Sequence, residues 1–141
     1  MFYTSKRFAR YLRASHGMMI NMASVAGRLG FGLRSPYAAS KWGVVGFTKS
    51  LAVELGPEGV RVNAILPGIV EGPRIDRVIN ARAQARGITY DQMRDELLSH
   101  VSLRQMVTAD DIASMCLFLA TPGGAKITGQ ALSVCGNVEV L

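Results

Sequence analysis

Residues Val60–Leu66 form a largely apolar, β-branched run, interrupted only by Arg61 and Asn63 and bounded by Gly59 and Pro67-Gly68. A run of this length between turn residues predicts a strand buried on both faces, the kind found in parallel sheets. Met18–Ala23 is a second such run, and Gln130–Cys135 reads as a third short strand. Parallel strands need crossover connections, and the stretches between these runs carry helical patterns. Phe8 and Leu12 share a face within a predicted helix over Phe2–Ala14, with Gly17 as its stop. Ser35 is placed as an N-cap, with Pro36 at the first helical position, for a helix running to Leu55 and ending at Gly56-Pro57. Gly43 and Gly46 lie inside that helix and predict close packing against a neighbour. A helix over Pro73–Arg86 is closed by Gly87. Thr89 with Gln92, and Thr108 with Asp111, each make a capping-box pattern ahead of an apolar stripe. Strand and helix thus alternate, which predicts an α/β fold on a parallel sheet of about three strands. The first strand would be a sheet edge, and it is unusually apolar for one.

The 141 residues suit one domain, and 49% hydrophobic against 18% charged residues excludes intrinsic disorder. No apolar run reaches the length of about 20 residues that a membrane-spanning helix needs. Charge is uneven: residues 1–53 hold eight basic side chains and no acidic one, the first acid being Glu54. Such a bias fits an anion-binding half or a solvated basic face. No zinc, helix-turn-helix or RNA-binding signature accompanies it, so no nucleic-acid partner is expected. Met1–Arg13 is Arg-rich and acid-free, as transit peptides are, but runs into a strand-like segment without a cleavage-like break. Cys116 and Cys135 form no CxxC pair, and His16 and His100 stand apart, so no metal site is expected. With no export signal, the expected compartment is the cytoplasm.

Tyr37 and Lys41 lie four residues apart near a helix start and share a face. A tyrosine is a poor base near neutral pH, and a neighbouring ammonium favours its phenolate, so such a pair is suited to passing a proton to or from a substrate oxygen. Ser24 falls at the carboxyl end of the first strand, where ligands of open α/β sheets bind, and its hydroxyl is suited to polarising a carbonyl. Pro67-Gly68 falls at the same end of the second strand. An isolated Tyr-x-x-x-Lys is weak, since such pairs are common by chance. The set of Ser24, the helix and the Pro-Gly turn is far rarer.

The motifs Ile20-Asn21-Met22-Ala23-Ser24, Tyr37-Ala38-Ala39-Ser40-Lys41, Leu51-Ala52-Val53-Glu54-Leu55, Val60 to Gly68 and Thr128-Gly129-Gln130, with Ser24 13 residues before Tyr37, resemble the C-terminal part of a short-chain dehydrogenase/reductase over nearly the whole chain. The resemblance implies residues 1–141 to be a single partial domain of a Rossmann-like, doubly wound parallel sheet, with a substrate cap at about 71–104. It implies an NAD(P)-dependent oxidoreductase that interconverts an alcohol and a carbonyl by hydride transfer. By similarity Tyr37 is the proton donor or acceptor, Lys41 holds the nicotinamide ribose and favours the phenolate, and Ser24 binds the reacting oxygen. Tyr37, Lys41, Pro67, Gly68 and the backbone of Val70 would meet NAD or NADP. The helices around 2–14 and 36–55 would pack against another copy. Arg74, Arg77 and Arg82 read more readily as a solvated face than as an anion site.

The family's Gly-rich dinucleotide fingerprint has no counterpart here, and Gly27, Gly30 and Gly32 belong instead to the loop before Tyr37. The residue that would choose NAD or NADP is also missing. So is the family's active-site Asn, which would lie just upstream of Met1. Phe2–Arg13 matches a helix interior, so the family fold would begin upstream. A chain truncated in this way is expected to bind dinucleotide weakly and turn over poorly, and its alternative role is a non-catalytic oligomerisation module. Gly72 stands where the family often has a Thr, and Cys135 where an Asp is common.

Overall fold

The computed structural model describes residues 1–138. Three strands, β1 (Met18–Met22), β2 (Arg61–Pro67) and β3 (Ala131–Val134), form one sheet in the order β1-β2-β3, parallel throughout. The register pairs Met22 with Ile65 and Pro67 with Val134. Five α-helices flank the sheet in a Rossmann-like arrangement: α1 (Phe2–Ser15), α2 (Ser35–Leu55), α3 (Pro73–Arg86), α4 (Tyr90–Leu98) and α5 (Ala109–Ala120).

β2 is the central strand, and its run from Val62 to Leu66 is wholly buried. Val62, Ala64 and Leu66 point to one face. There Val62 meets Ala52 and Leu55 of α2, with Ala9 and Leu12 of α1 beside them, and Ala64 and Leu66 meet Val44 and Val45. Each large aliphatic side chain hidden in this way contributes about 1.5–3 kcal/mol relative to exposure. α5 packs on β2 and β3 and buries Leu119 completely. Buried Asn63 and Asn21 are paired, whereas the buried hydroxyl of Ser133 on β3 has no hydrogen-bond partner among the described residues. Asn63 donates to the Ile127 carbonyl (2.8 Å) and accepts from the Gln130 N–H (3.0 Å), so it stitches β2 to the segment that leads into β3. Asn21 donates to the Thr48 hydroxyl (3.0 Å), which ties β1 to α2.

α3 spans the predicted residues, with Pro73 in its first turn and Gly87 left-handed at its end. Both predicted capping boxes are complete. Three local expectations are corrected. α1 is ended by His16, which takes the left-handed conformation (φ 48°), while Gly17 donates its N–H to the Leu12 carbonyl. The His16 ring reaches the Glu58 carbonyl (3.0 Å), a tertiary contact that holds an uncommon backbone state. The N-cap of α2 is Arg34 rather than Ser35, and its side chain makes no capping bond. Gly43 and Gly46 face open space within the described chain instead of a close neighbour. β1 is the edge strand, as expected. Beside it an apolar groove of about 530 Å³ runs between Met18–Met22 and Phe8 and Leu12 of α1. No helix among the described residues is long and apolar enough to cross a membrane.

Candidate active site

Ser24 lies just past the end of β1. Its hydroxyl oxygen accepts the Ala26 N–H (3.2 Å) and caps a single helical turn, Val25–Gly27. That turn packs hard against α2: a Cβ on Gly27 would sit 2.8 Å from the Lys41 carbonyl oxygen. Only glycine allows this approach, so the Ser24 loop and the helix of Tyr37 and Lys41 are held at a fixed separation. Tyr37 occupies the first turn of α2 and is about one-third exposed. Lys41 follows one turn later. Its Nζ donates to the Met22 carbonyl (3.2 Å) and lies 5.7 Å from the centre of the Tyr37 ring. The ammonium thus bridges the last residue of β1 and the back of the phenol.

Ser24 and Tyr37 line one cleft of about 390 Å³, together with Gly68, Ile69 and Val70 from the end of β2 and residues of the α3–α4 hairpin, including Ile75, Val78 and Leu97. The hairpin is fastened internally: Ile79 and Ala83 of α3 pack on Met93 of α4, and the Tyr90 hydroxyl donates to Asp76 (2.7 Å). That bond, with burial adding to it, raises the Tyr90 phenol above its ordinary value. A larger hollow of about 590 Å³ between α5 and β3 contains none of Ser24, Tyr37 or Lys41.

The turn after β2 is set by contact and by pairing. A Cβ on Gly68 would come within 2.7 Å of Cys135 Cβ. Val70 forms a parallel bridge with Val107, through Glu71 N–H to Val107 O and Val107 N–H to Ile69 O (both 2.9 Å). In such a bridge the bonds run through the residues flanking Val70. Its own N–H and C=O therefore point to the opposite side and make no hydrogen bond among the described residues. One donor and one acceptor side by side at the cleft wall fit a carboxamide, the group that ends a nicotinamide.

A family model described as "Enoyl-(Acyl carrier protein) reductase" matches residues 1–137. The chain belongs to the short-chain dehydrogenase/reductase family. Among curated relatives it is 43% identical over 122 residues to a monensin polyketide synthase putative ketoacyl reductase of Streptomyces virginiae, covering 86% of this chain and 47% of the relative. It is 38% identical over 122 residues to a D-beta-hydroxybutyrate dehydrogenase of Rhizobium meliloti, with the same coverage. The sorbitol-6-phosphate 2-dehydrogenase SrlD of Erwinia amylovora superposes with a TM-score of 0.89 at 29% identity, over 99% of this chain and 56% of that one. The F189W actinorhodin polyketide ketoreductase, solved with NADPH, gives 0.82 at 36% identity, over 91% and 49%. The chain spans about half the length of the curated relatives it matches.

Of the residues named from this family's motifs, Ser24, Tyr37, Gly68 and Val70 meet at one cleft. Lys41 stands behind Tyr37, and Pro67 is the last residue of β2, immediately before the lining. Of the three arginines set aside as a solvated face, Arg74 lines the cleft. Arg77 turns back to the Pro73 carbonyl, and Arg82 is exposed on α3. Sequence reading missed Phe31 and Arg34, which also line the cleft. Their place in the loop, six and three residues before Tyr37, carries no periodic signal.

Proposed function

We propose that this chain carries the proton-handling half of an NAD(P)-dependent oxidoreductase site that interconverts an alcohol and a carbonyl on a small molecule. One observation supports the reading above all: Ser24 and Tyr37, from separate elements, face the same cleft beyond the carboxyl ends of two parallel strands. A nicotinamide dinucleotide supplies or accepts the hydride when bound. Tyr37 gives its phenolic proton to the substrate oxygen in reduction and takes it back in oxidation. Ser24 uses its lone pairs on the Ala26 N–H, so its own proton is left to donate to that oxygen and hold the developing charge. Lys41, tethered to the Met22 carbonyl, keeps a positive charge behind the phenol and offers its remaining protons to ribose hydroxyls. When the dinucleotide is bound, the free N–H and C=O of Val70 would hold its carboxamide, with Pro67-Gly68 setting where that backbone lies. The hairpin within 71–104 closes over the substrate.

The test is turnover of short ketones by the purified chain with NADH and NADPH, beside Tyr37→Phe. Loss of a general acid costs about 10²–10⁴-fold. Slow turnover is expected, because the dinucleotide fingerprint has no counterpart in this chain, and turnover that Tyr37→Phe leaves unaffected overturns the reading.

A second reading, assembly through α1 and α2, is favoured by one surface. α2 has no wholly polar face: apolar residues are spread around it between Ser40, Lys49, Ser50 and Glu54, and such apolar surface is normally covered. Here Trp42 is 52% and Val53 78% exposed, with Gly43 and Gly46 open beside them, while α1 exposes Phe8 and Tyr11. A second copy of the chain is the proposed cover. Light scattering that finds only monomer at high concentration removes this reading.

A further inference from the structure

Arg34 is placed where helix energetics would not put a cation. It caps the positive end of the 21-residue α2, its side chain makes no capping bond, and no acidic residue follows in the first turn. Its exposed side chain nonetheless has an aromatic neighbour. The guanidinium lies 5.2 Å from the centre of the Phe31 ring, and Phe31 stands edge-on to Tyr37 with centroids 6.2 Å apart. The row Arg34–Phe31–Tyr37 places a cation at the cleft one ring away from the phenol. A cation–π contact consumes none of a guanidinium's five N–H donors as a hydrogen bond. Among the described residues those donors are unspent. The ion pairs among the described residues are Arg13–Glu58, Arg86–Glu96 and Arg94–Asp95, and the Arg34 side chain is in none of the hydrogen bonds. Arg74 is a second cation on the lining and Glu71 its one carboxylate, and neither forms an ion pair. The rest of the wall near the hairpin is aliphatic, with Ile75, Val78 and Leu97. A ligand suited to this cleft has an apolar chain and an oxyanion at one end.

We propose that Arg34 is a specificity-determining residue that selects substrates whose carbonyl or alcohol is joined by a short apolar segment to an anionic oxygen head, a carboxylate or a phosphate. The inference rests on the oxidoreductase reading for the word substrate. The anion site itself is read separately.

The experiment is a chemical-shift titration of the isotope-labelled chain with hexanoate, hexanamide and butyl phosphate, repeated with Arg34→Gln and Arg34→Lys. A hydrogen bond to a charged group contributes about 1.5–3 kcal/mol. On that basis hexanoate or butyl phosphate binds at least tenfold more tightly than hexanamide, with shifts centred on the loop from Phe31 to Tyr37. The ratio falls to near one in Arg34→Gln and keeps part of its value in Arg34→Lys. The tighter of the two anions names the head group. Equal affinity for anions and amide, a preference that survives Arg34→Gln, or no saturable shift with either anion overturns the proposal. Because binding is read without turnover, failure of the Tyr37→Phe assay leaves this result standing, and failure here leaves that assay standing.

Discussion

Replacing Gly68 by alanine inserts one methyl group where the structure has no room. The new Cβ would lie 2.7 Å from Cys135 Cβ, 2.8 Å from Cys135 Cα and 3.1 Å from its carbonyl oxygen. Carbon atoms rest at about 3.5–4.0 Å, so the two backbones must part by roughly 1 Å. No flexible side chain can absorb the shift, because two of the three atoms are main chain. Gly68 N–H also bonds to the Val134 carbonyl (2.9 Å), which anchors the turn to β3 and resists movement. Overpacking of this kind costs about 1–3 kcal/mol. For a domain of this length each kcal/mol lowers the melting temperature by roughly 3–5 °C. Thermal and urea denaturation of Gly68→Ala are therefore expected to show a loss of about 3–15 °C and a lower urea midpoint with unchanged slope. The same displacement moves Val70, so turnover falls further than stability alone requires, by up to about 10²-fold. A variant as stable as the parent would refute the reasoning, since it would mean that Gly68 and Cys135 are not in close contact.

Gly43→Ala acts in the opposite direction: with nothing within 4 Å of the added carbon, the monomer gains about 1 kcal/mol in urea unfolding. A loss would show that the face is covered. Asn63→Ala strips the partners from the Ile127 carbonyl and the Gln130 N–H, and unfolding by denaturant should register a loss of about 3 kcal/mol. Asp111 accepts the Thr108 backbone N–H and hydroxyl, both at 2.8 Å, and these bonds hold its carboxyl below the ordinary value of 3.8. A carboxyl depressed in the folded state stabilises the fold above its unfolded value and loses that contribution as pH falls through the folded one. The stability advantage over Asp111→Asn is therefore expected to be constant near neutrality and to shrink below about pH 4, followed by denaturation at each pH.

What could be read from the chain alone was whatever local chemistry decides. Thr108 and Asp111, or Thr89 and Gln92, complete a cap using only each other, so sequence spacing was enough. Pro73 and Gly87 act through their own backbone restrictions and mark α3 to the residue. β2 was legible because burial on both faces leaves a run that is apolar except at Arg61 and Asn63. The misses depend on distant partners. His16 takes a left-handed conformation beside Glu58, across 42 positions, and that contact displaced Gly17 as the helix stop. Gly43 and Gly46 suggested a close neighbour by their cost to the helix, but nothing among the described residues approaches either one. At the candidate site, Ser24, Tyr37 and Lys41 were named from their spacing and the family resemblance, whereas Phe31 and Arg34 lie in an irregular loop and carry no such signal. Arg74 differs from Arg77 only in which side of α3 meets the cleft.

The bridge between Val70 and Val107 pins the two ends of the segment carrying α3 and α4 to each other at the margin of the sheet. Everything from Glu71 to Val107 is thereby a closed excursion whose base is already joined. Lengthening a closed loop is inexpensive, about 0.6 kcal/mol for each doubling. The hairpin is thus a cassette: it can be exchanged for one of different size or lining while β2, β3 and the Tyr37 helix keep their places. Retargeting this scaffold to another molecule is a grafting problem with two fixed suture points.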